Sequence, residues 1–257
     1  MSPTATATML SCVLEMERCD VVLRALETAG FFNTVVPEIA ALDQDERLSA
    51  SGRALHKDNL AHSFVVTAQC PIRLRVRLAA LCHDLGKPPT RRIENGKVSF
   101  HNHETVGARI AKSMLSRIGF GEFGEDVATL VAVSGRLGGF DGEWSDSAVR
   151  RVATDAGLLL EDLLDLVAAD CTSKRPATRA RVAAQVRSFR ERHAQIVYAD
   201  ARRAVRPALS GEEIMDVLDL EPGPQVGAAY QFLLAFELDG ENLSKDEARA
   251  RLVAWAT

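Results

Sequence analysis

Aromatic residues are scarce in this chain, with Phe, Trp and Tyr together at 5% of 257 residues. Ala, Leu, Val, Arg and Glu dominate instead, a balance that favours helices over strands. The expected class is all-α. Paired cysteines are also missing: Cys12, Cys19, Cys70, Cys82 and Cys171 are odd in number and form no CxxC. That excludes a disulfide framework and a thiolate zinc site, and it fits a reducing cytoplasm. The opening MSPTATATML has neither the basic segment nor the apolar run of a secretory signal, and no stretch approaches about 18 uninterrupted apolar residues. A soluble cytoplasmic protein without membrane contact is therefore expected. Nor is there an excess of positive charge, since a formal net charge of −4 argues against an unspecific nucleic-acid coat protein.

What charge there is lies unevenly. Between Lys174 and Arg206 stand ten Lys or Arg and two acids, Glu191 and Asp200. This stretch suits a phosphate backbone, or equally a solvated helix face. Apolar spacing from Val13 to Ala29 reads as a helical neck stopped by Gly30, and the polar run Asp43 to Arg53 as the first loop. Helices are expected over 73–85, terminated by Gly86 and Pro88-Pro89, over 104–118 with Val106, Ile110, Met114, Leu115 and Ile118 inward, and over 125–134. Ser145 to Ser147 would cap a helix over 148–156, and the apolar run 158–169 reads as a buried helix ending at Asp170. Ser210 with Glu213 and Ser244 with Glu247 match capping boxes, so the tail holds at least two more helices.

Five of the six histidines, His56, His62, His83, His101 and His103, fall within 48 residues, and Asp84 directly follows His83. His62 precedes His83 by 21 residues, about the distance from one helix across a turn to the next, so the two rings can converge. Imidazole nitrogens and carboxylate oxygens without thiolate suit Mg, Mn, Fe, Ni or Zn in a hydrolytic site with open positions. Such a metal acidifies a water and polarises a phosphoryl oxygen. Asp170 is either the remaining carboxylate ligand or a simple helix-end residue. Lys87 either meets a substrate phosphate as a point charge or sits solvated on the surface.

The segments His56-Lys-Asp-Asn-Leu-Ala-His62, Leu78-Ala-Ala-Leu-Cys-His-Asp-Leu-Gly-Lys-Pro88, Phe100-His-Asn-His-Glu104 with Gly107, and Ala169-Asp170-Cys171-Thr172 resemble the HD-domain region of bacterial tRNA nucleotidyltransferases, the CCA-adding enzymes. Pro37-Glu-Ile-Ala-Ala-Leu42, Trp144-Ser-Asp-Ser-Ala-Val-Arg-Arg151, Gly211-Glu-Glu-Ile-Met215 and Pro222-Gly-Pro-Gln-Val-Gly227 extend the likeness over about residues 15–256. The resemblance implies an HD-domain helical bundle over 56–175, a helical neck over 1–55 and a helical tail over 176–257. It implies His62, His83, Asp84 and Asp170 as ligands of a divalent metal and His103 as a histidine that approaches the substrate phosphate or a second metal. Asp84, Lys87 and His103 are the expected catalytic residues, while His56 and His101 either surround the site or are ordinary polar surface.

Two features depart from the family's pattern. The nucleotide-transfer head has no counterpart, so the chain is not expected to add nucleotides by itself. Histidines expected near Ser134 and Gly138 are absent, which points to one metal rather than two. The leading expectation is a metal-dependent phosphodiesterase or phosphatase acting on nucleotides or RNA 3′ ends. The alternatives are a tRNA-binding accessory module and a deoxynucleoside triphosphohydrolase.

Overall fold

A computed structural model describes residues 1–45, 58–94, 97–140 and 142–257. The described chain divides into two compact units, 1–193 and 194–257. In chain order the first holds α1 (Pro3–Leu14), α2 (Cys19–Thr28), α3 (Phe31–Val35), α4 (Pro37–Ala40), α5 (Asn59–Gln69), α6 (Leu74–Cys82) and α7 (Lys87–Thr90). A two-stranded antiparallel hairpin follows, β1 (Arg92–Glu94) with β2 (Lys97–Ser99), Ile93 opposite Val98. Then come α8 (His103–Arg117), α9 (Gly124–Val133), α10 (Asp146–Ala156), α11 (Leu160–Asp170) and α12 (Pro176–Ala204), the last running on into the second unit. The second unit adds α13 (Gly211–Leu218), α14 (Pro224–Leu238) and α15 (Lys245–Ala256). The all-α expectation holds, with one small hairpin added. The Asn95-Gly96 dipeptide between its strands is the local signal for it.

Helix α6 occupies the middle of the first unit, packed against α5, α8, α9 and α11. Val76, Leu78, Ala79, Ala80, Leu81 and Cys82 are all buried, so it is apolar around most of its circumference, as a central helix must be. Its two arginines and the Arg73 that precedes it take different tasks. Arg73 pairs with Asp162 and Asp165, and Arg75 with Asp126 and Asp162, tying α6 to α9 and α11. Arg77 is 2% exposed and has carbonyls for partners. Its Nη1 donates to Leu14 O and Met16 O at 2.6 Å, and its Nε and Nη2 donate to Cys70 O at 3.2 and 3.1 Å. These are the carbonyls left over where α1 and α5 end, the negative poles of their helix dipoles.

That contact explains one correction. The neck expected as a single helix over 13–29 is two helices broken at 15–18, because the Leu14 and Met16 carbonyls turn to the Arg77 guanidinium instead of continuing the ladder. A second concerns Pro88 and Pro89. They open the short α7 rather than terminate α6, which stops earlier at Cys82; proline suits a first helical turn, where no amide donor is needed. In α8 the buried face is Gly107, Ala108, Ala111, Met114 and Leu115, with Val106 and Ile110 only half buried. Most of the expected Asp43–Arg53 loop lies outside the described residues.

The caps appear where expected. Ser145 Oγ accepts from the Ala148 amide at 3.3 Å, and both tail capping boxes form. The second unit has its own core of Leu209, Ile214, Ala229, Leu233, Leu243, Ala248 and Leu252.

Candidate metal centre

Three helix ends supply the site. Asp58 caps α5, its Oδ1 accepting from the Ala61 amide at 2.8 Å, which fixes His62 one turn into the helix. α6 stops at Cys82, and the chain then makes consecutive tight turns in which Leu85 N donates to Cys82 O and Lys87 N to Asp84 O. His83 and Asp84 occupy those turns. Asp170 is the last residue of α11, and Gln69 Nε2 donates to Ala169 O at 2.7 Å, clamping the end of α5 to the end of α11.

The His83–Gly86 turn is held from the other side by α8. A Cβ on Gly86 would stand 1.9 Å from the His103 carbonyl oxygen and 2.7 Å from the Gly107 nitrogen, so only glycine lets the two backbones approach this closely.

One ligating atom each from His62, His83 and Asp170 lies within 4.8 Å of the others. His62 Nε2 and Asp170 Oδ1 are 2.7 Å apart, while Thr172 Oγ1 lies 3.2 Å from His62 Nδ1. His83 Nδ1 is 2.6 Å from the Ala80 carbonyl and so carries the proton, which turns the Nε2 lone pair away from the backbone. That buried Nε2 makes no hydrogen bond; the carboxylate oxygens of Asp84 and Asp170 stand at 3.4 and 3.6 Å. An orphaned imidazole nitrogen with its opposite nitrogen anchored is the arrangement a metal ligand needs. The residues therefore fit a divalent metal, with His62, His83 and Asp170 as holders.

Electrostatics reinforce the fit. Burial opposes ionisation of Asp170, but the hydrogen bond from the His62 ring and the nearby His83 ring outweigh it and hold the carboxyl well below its usual range. Burial likewise opposes charge on Asp84, and His83 and Lys87 overcome it, lowering its pKa. Burial pulls the His83 pKa down, yet Asp84 and Asp170 together leave it raised. Two carboxylates are thus kept ionised beside two imidazoles. The Asp170 side chain is 52% exposed and opens the group to solvent, whereas Asp84 is 2% exposed.

Asp84 is next to the three-residue group, its Oδ2 taken by Lys87 Nζ at 2.7 Å. Lys87 is thus ion-paired and mostly buried rather than solvated, with its ammonium 5.9 Å from the Phe100 ring centre. The His103 carbonyl abuts Gly86, but its ring turns to the Phe100 carbonyl at 2.9 Å and to Glu104 at 3.3 Å. His101 is exposed in the turn before α8. His56 lies outside the described residues.

A cavity of about 300 Å³ adjoins the group, walled by His83, Asp170, Ser134, Gly138, Leu166 and Arg181 among others. Ser134 and Gly138, where histidines were expected, therefore face this space. Sequence reasoning missed Thr172, which touches His62 from two residues beyond Asp170, and it did not single out Arg181 from its basic neighbours.

The HD domain model matches residues 71–256, which include His83, Asp84 and Asp170 and begin after His62. The chain is 37% identical over 238 residues to a CC-adding tRNA nucleotidyltransferase of Thermus thermophilus, covering 91% of this chain and 52% of that protein. It is 31% identical over 239 residues to an A-adding tRNA nucleotidyltransferase of Deinococcus radiodurans, covering 90% and 53%. A multifunctional CCA protein of Alcanivorax borkumensis matches over 115 residues at 32% identity, 44% of this chain and 27% of the relative. The chain spans about half the length of the first two relatives. With a helical scaffold, a turn bearing His83 and Asp84, and a His/His/Asp group suited to a divalent metal, the chain belongs to the HD-domain family.

Proposed function

We propose that this protein is a metal-dependent phosphohydrolase acting on phosphoesters of nucleotides or RNA 3′ ends. The observation that carries the reading is His83 Nε2, buried, unpartnered and aimed toward two ionised carboxylates. His62, His83, Asp84 and Asp170 are the proposed ligands. A bound divalent ion supplies Lewis acidity toward a phosphoryl oxygen and lowers the pKa of water.

The protein's own groups do the rest. Ala80 O and Thr172 Oγ1 fix the two imidazole rings. Lys87 keeps Asp84 ionised and supplies positive charge beside the phosphoryl oxygens. His103, its Nδ1 engaged by the Phe100 carbonyl, keeps Nε2 for proton exchange. In the reaction a water oxygen bonds to phosphorus as an ester P–O bond breaks. One proton leaves the water and one reaches the departing oxygen, yielding a phosphate product and an alcohol.

Purified protein with Mn(II) or Ni(II) is expected to cleave 2′,3′-cyclic nucleotides or a generic phosphodiester, and His83→Ala or Asp170→Asn to abolish cleavage. Equal rates in these variants would overturn the reading.

A second reading draws on the relatives' names and on α12, where Arg181 and Arg187 have no ion pair or hydrogen bond among the described residues. Here the chain is a tRNA-binding module and the metal site serves structure. Salt-sensitive tRNA binding that survives His83→Ala, without hydrolysis, would favour it.

A further inference from the structure

One face of α12 forms a wall of the cavity beside the His/Asp group. Thr178, Arg181, Val182 and Gln185 recur at helical spacing and all line it. Gln185 is spent on structure, its Nε2 donating to the Leu137 carbonyl at 2.6 Å. That bond fixes this face against the 134–139 segment. A second cavity, of about 390 Å³, is lined by Phe140, Gly142, Ala184 and Ser188, again with Arg181 and Gln185. His83 and Asp170 line only the first cavity, Phe140 and Ser188 only the second. Arg181 therefore stands at the boundary between them.

Its charge is unassigned within the fold. On the same helix Arg179 donates to Ser173 O, Arg190 to Glu161 and Arg192 to Asp146. Arg181 has no such partner among the described residues. An exposed guanidinium on the rim of a ligand-sized cavity has the fork geometry that grips a phosphate through two hydrogen bonds. The first cavity also presents Leu137, Leu166, Val167 and Val182, an apolar wall suited to a base and sugar.

We infer that the site takes an oligonucleotide end of at least two nucleotides, with Arg181 gripping the second phosphate. The terminal phosphate lies at His62, His83 and Asp170, its nucleoside in the first cavity, and the following nucleoside in the second. This rests on the hydrolase reading for the position of the terminal phosphate and extends it to substrate length. Arg181 is a specificity residue, since it acts one phosphate away from the reacting one.

The test is a binding measurement by isothermal titration, with and without Mn(II). The probes are a hydrolysis-resistant phosphorothioate dinucleotide with a terminal phosphorothioate and the matching mononucleotide. Wild-type protein is expected to bind the dinucleotide about 10- to 100-fold more tightly, the usual effect of a charge-assisted hydrogen-bonded pair. Arg181→Ala should bring that ratio close to one, and Arg181→Lys should keep part of it. Arg192→Ala, on the same helix but paired with Asp146 and lining neither cavity, should leave it unchanged. Alanine is the best helix former, so α12 persists in both alanine variants.

Equal affinity of the two probes in wild type, or an undiminished ratio in Arg181→Ala, would overturn the inference. The two readings fail separately. Missing Mn(II)-dependent hydrolysis with an intact Arg181-dependent ratio sinks the hydrolase alone. Hydrolysis without a length preference sinks only the role of Arg181.

Discussion

Two polar clusters are buried in the first unit, and they are solved in opposite ways. Around Arg77, each of the three guanidinium nitrogens finds a carbonyl, and the charge is neutralised by two helix ends. Around His83, one nitrogen is anchored and the other is left bare, while two carboxylates are held ionised nearby. A satisfied buried charge ties segments together. An unsatisfied one is stable only because something else completes it, or because its cost is small beside what the site does. The same low-dielectric interior thus produces a structural knot in one place and a group that could hold a metal ion in another.

The sharpest way to break that contrast is Arg77→Ala. Three carbonyls, those of Leu14 and Cys70 buried and that of Met16 partly so, lose their donor, so unfolding in urea should show a loss of about 3 kcal/mol or more. Metal uptake by the protein that remains folded should be normal. His83→Ala should do the reverse: metal-free stability within about 1 kcal/mol of wild type, but Mn(II) affinity lowered by more than about 100-fold in a titration, since a ligand matters more than its outer-shell support. A loss of 3 kcal/mol or more on removing His83 from metal-free protein would make it another structural knot.

Metal itself should stabilise wild type. At a free concentration 100 times the dissociation constant the gain is about 2.7 kcal/mol. It should vanish with chelator or in Asp170→Asn, and fade as pH falls, beginning above the ordinary histidine value of about 6.5 because the His83 pKa is raised and protons compete for the imidazoles.

A smaller effect is expected at Thr172, whose hydroxyl meets His62 Nδ1. Thr172→Val should weaken metal binding about ten-fold with little change in thermal unfolding. Smallest of all is a difference in thiol reactivity. Burial pushes the Cys70 thiol up to about 12 and raises Cys19 and Cys82 as well. Thiolate is the reactive form, so at pH 8 iodoacetamide should modify exposed Cys12 and half-buried Cys171 and spare the other three. Because Cys171 lines the first cavity, an occupant there should slow its labelling while leaving Cys12 unaffected.

Much of this was legible along the chain. Capping boxes at Ser210 and Ser244 are local, reciprocal hydrogen bonds, and they form where the residues specify them. The all-α class followed from composition, and clustering of histidines pointed to the site region. The break in the neck was not legible, because it depends on Arg77, some 60 residues away. The prolines after His83 read as a stop, yet they begin a helix, since the turns before them already end α6. Nor could periodicity separate Arg181 from Arg179 or Arg190, all on one basic helix; each differs only in what lies across from it.

Sequence alone determined the helical class, the limits of α8, α9, α10 and α11 to within about two residues and the pool of imidazole and carboxylate groups, because propensity, capping and spacing act over a few residues. Tertiary structure alone decided that His62, His83 and Asp170 meet and that Arg181 borders two cavities. Those outcomes depend on how α5, α6, α11 and α12 pack, and packing distances between helix ends are fixed by the shape of the shared core rather than by any local run of residues.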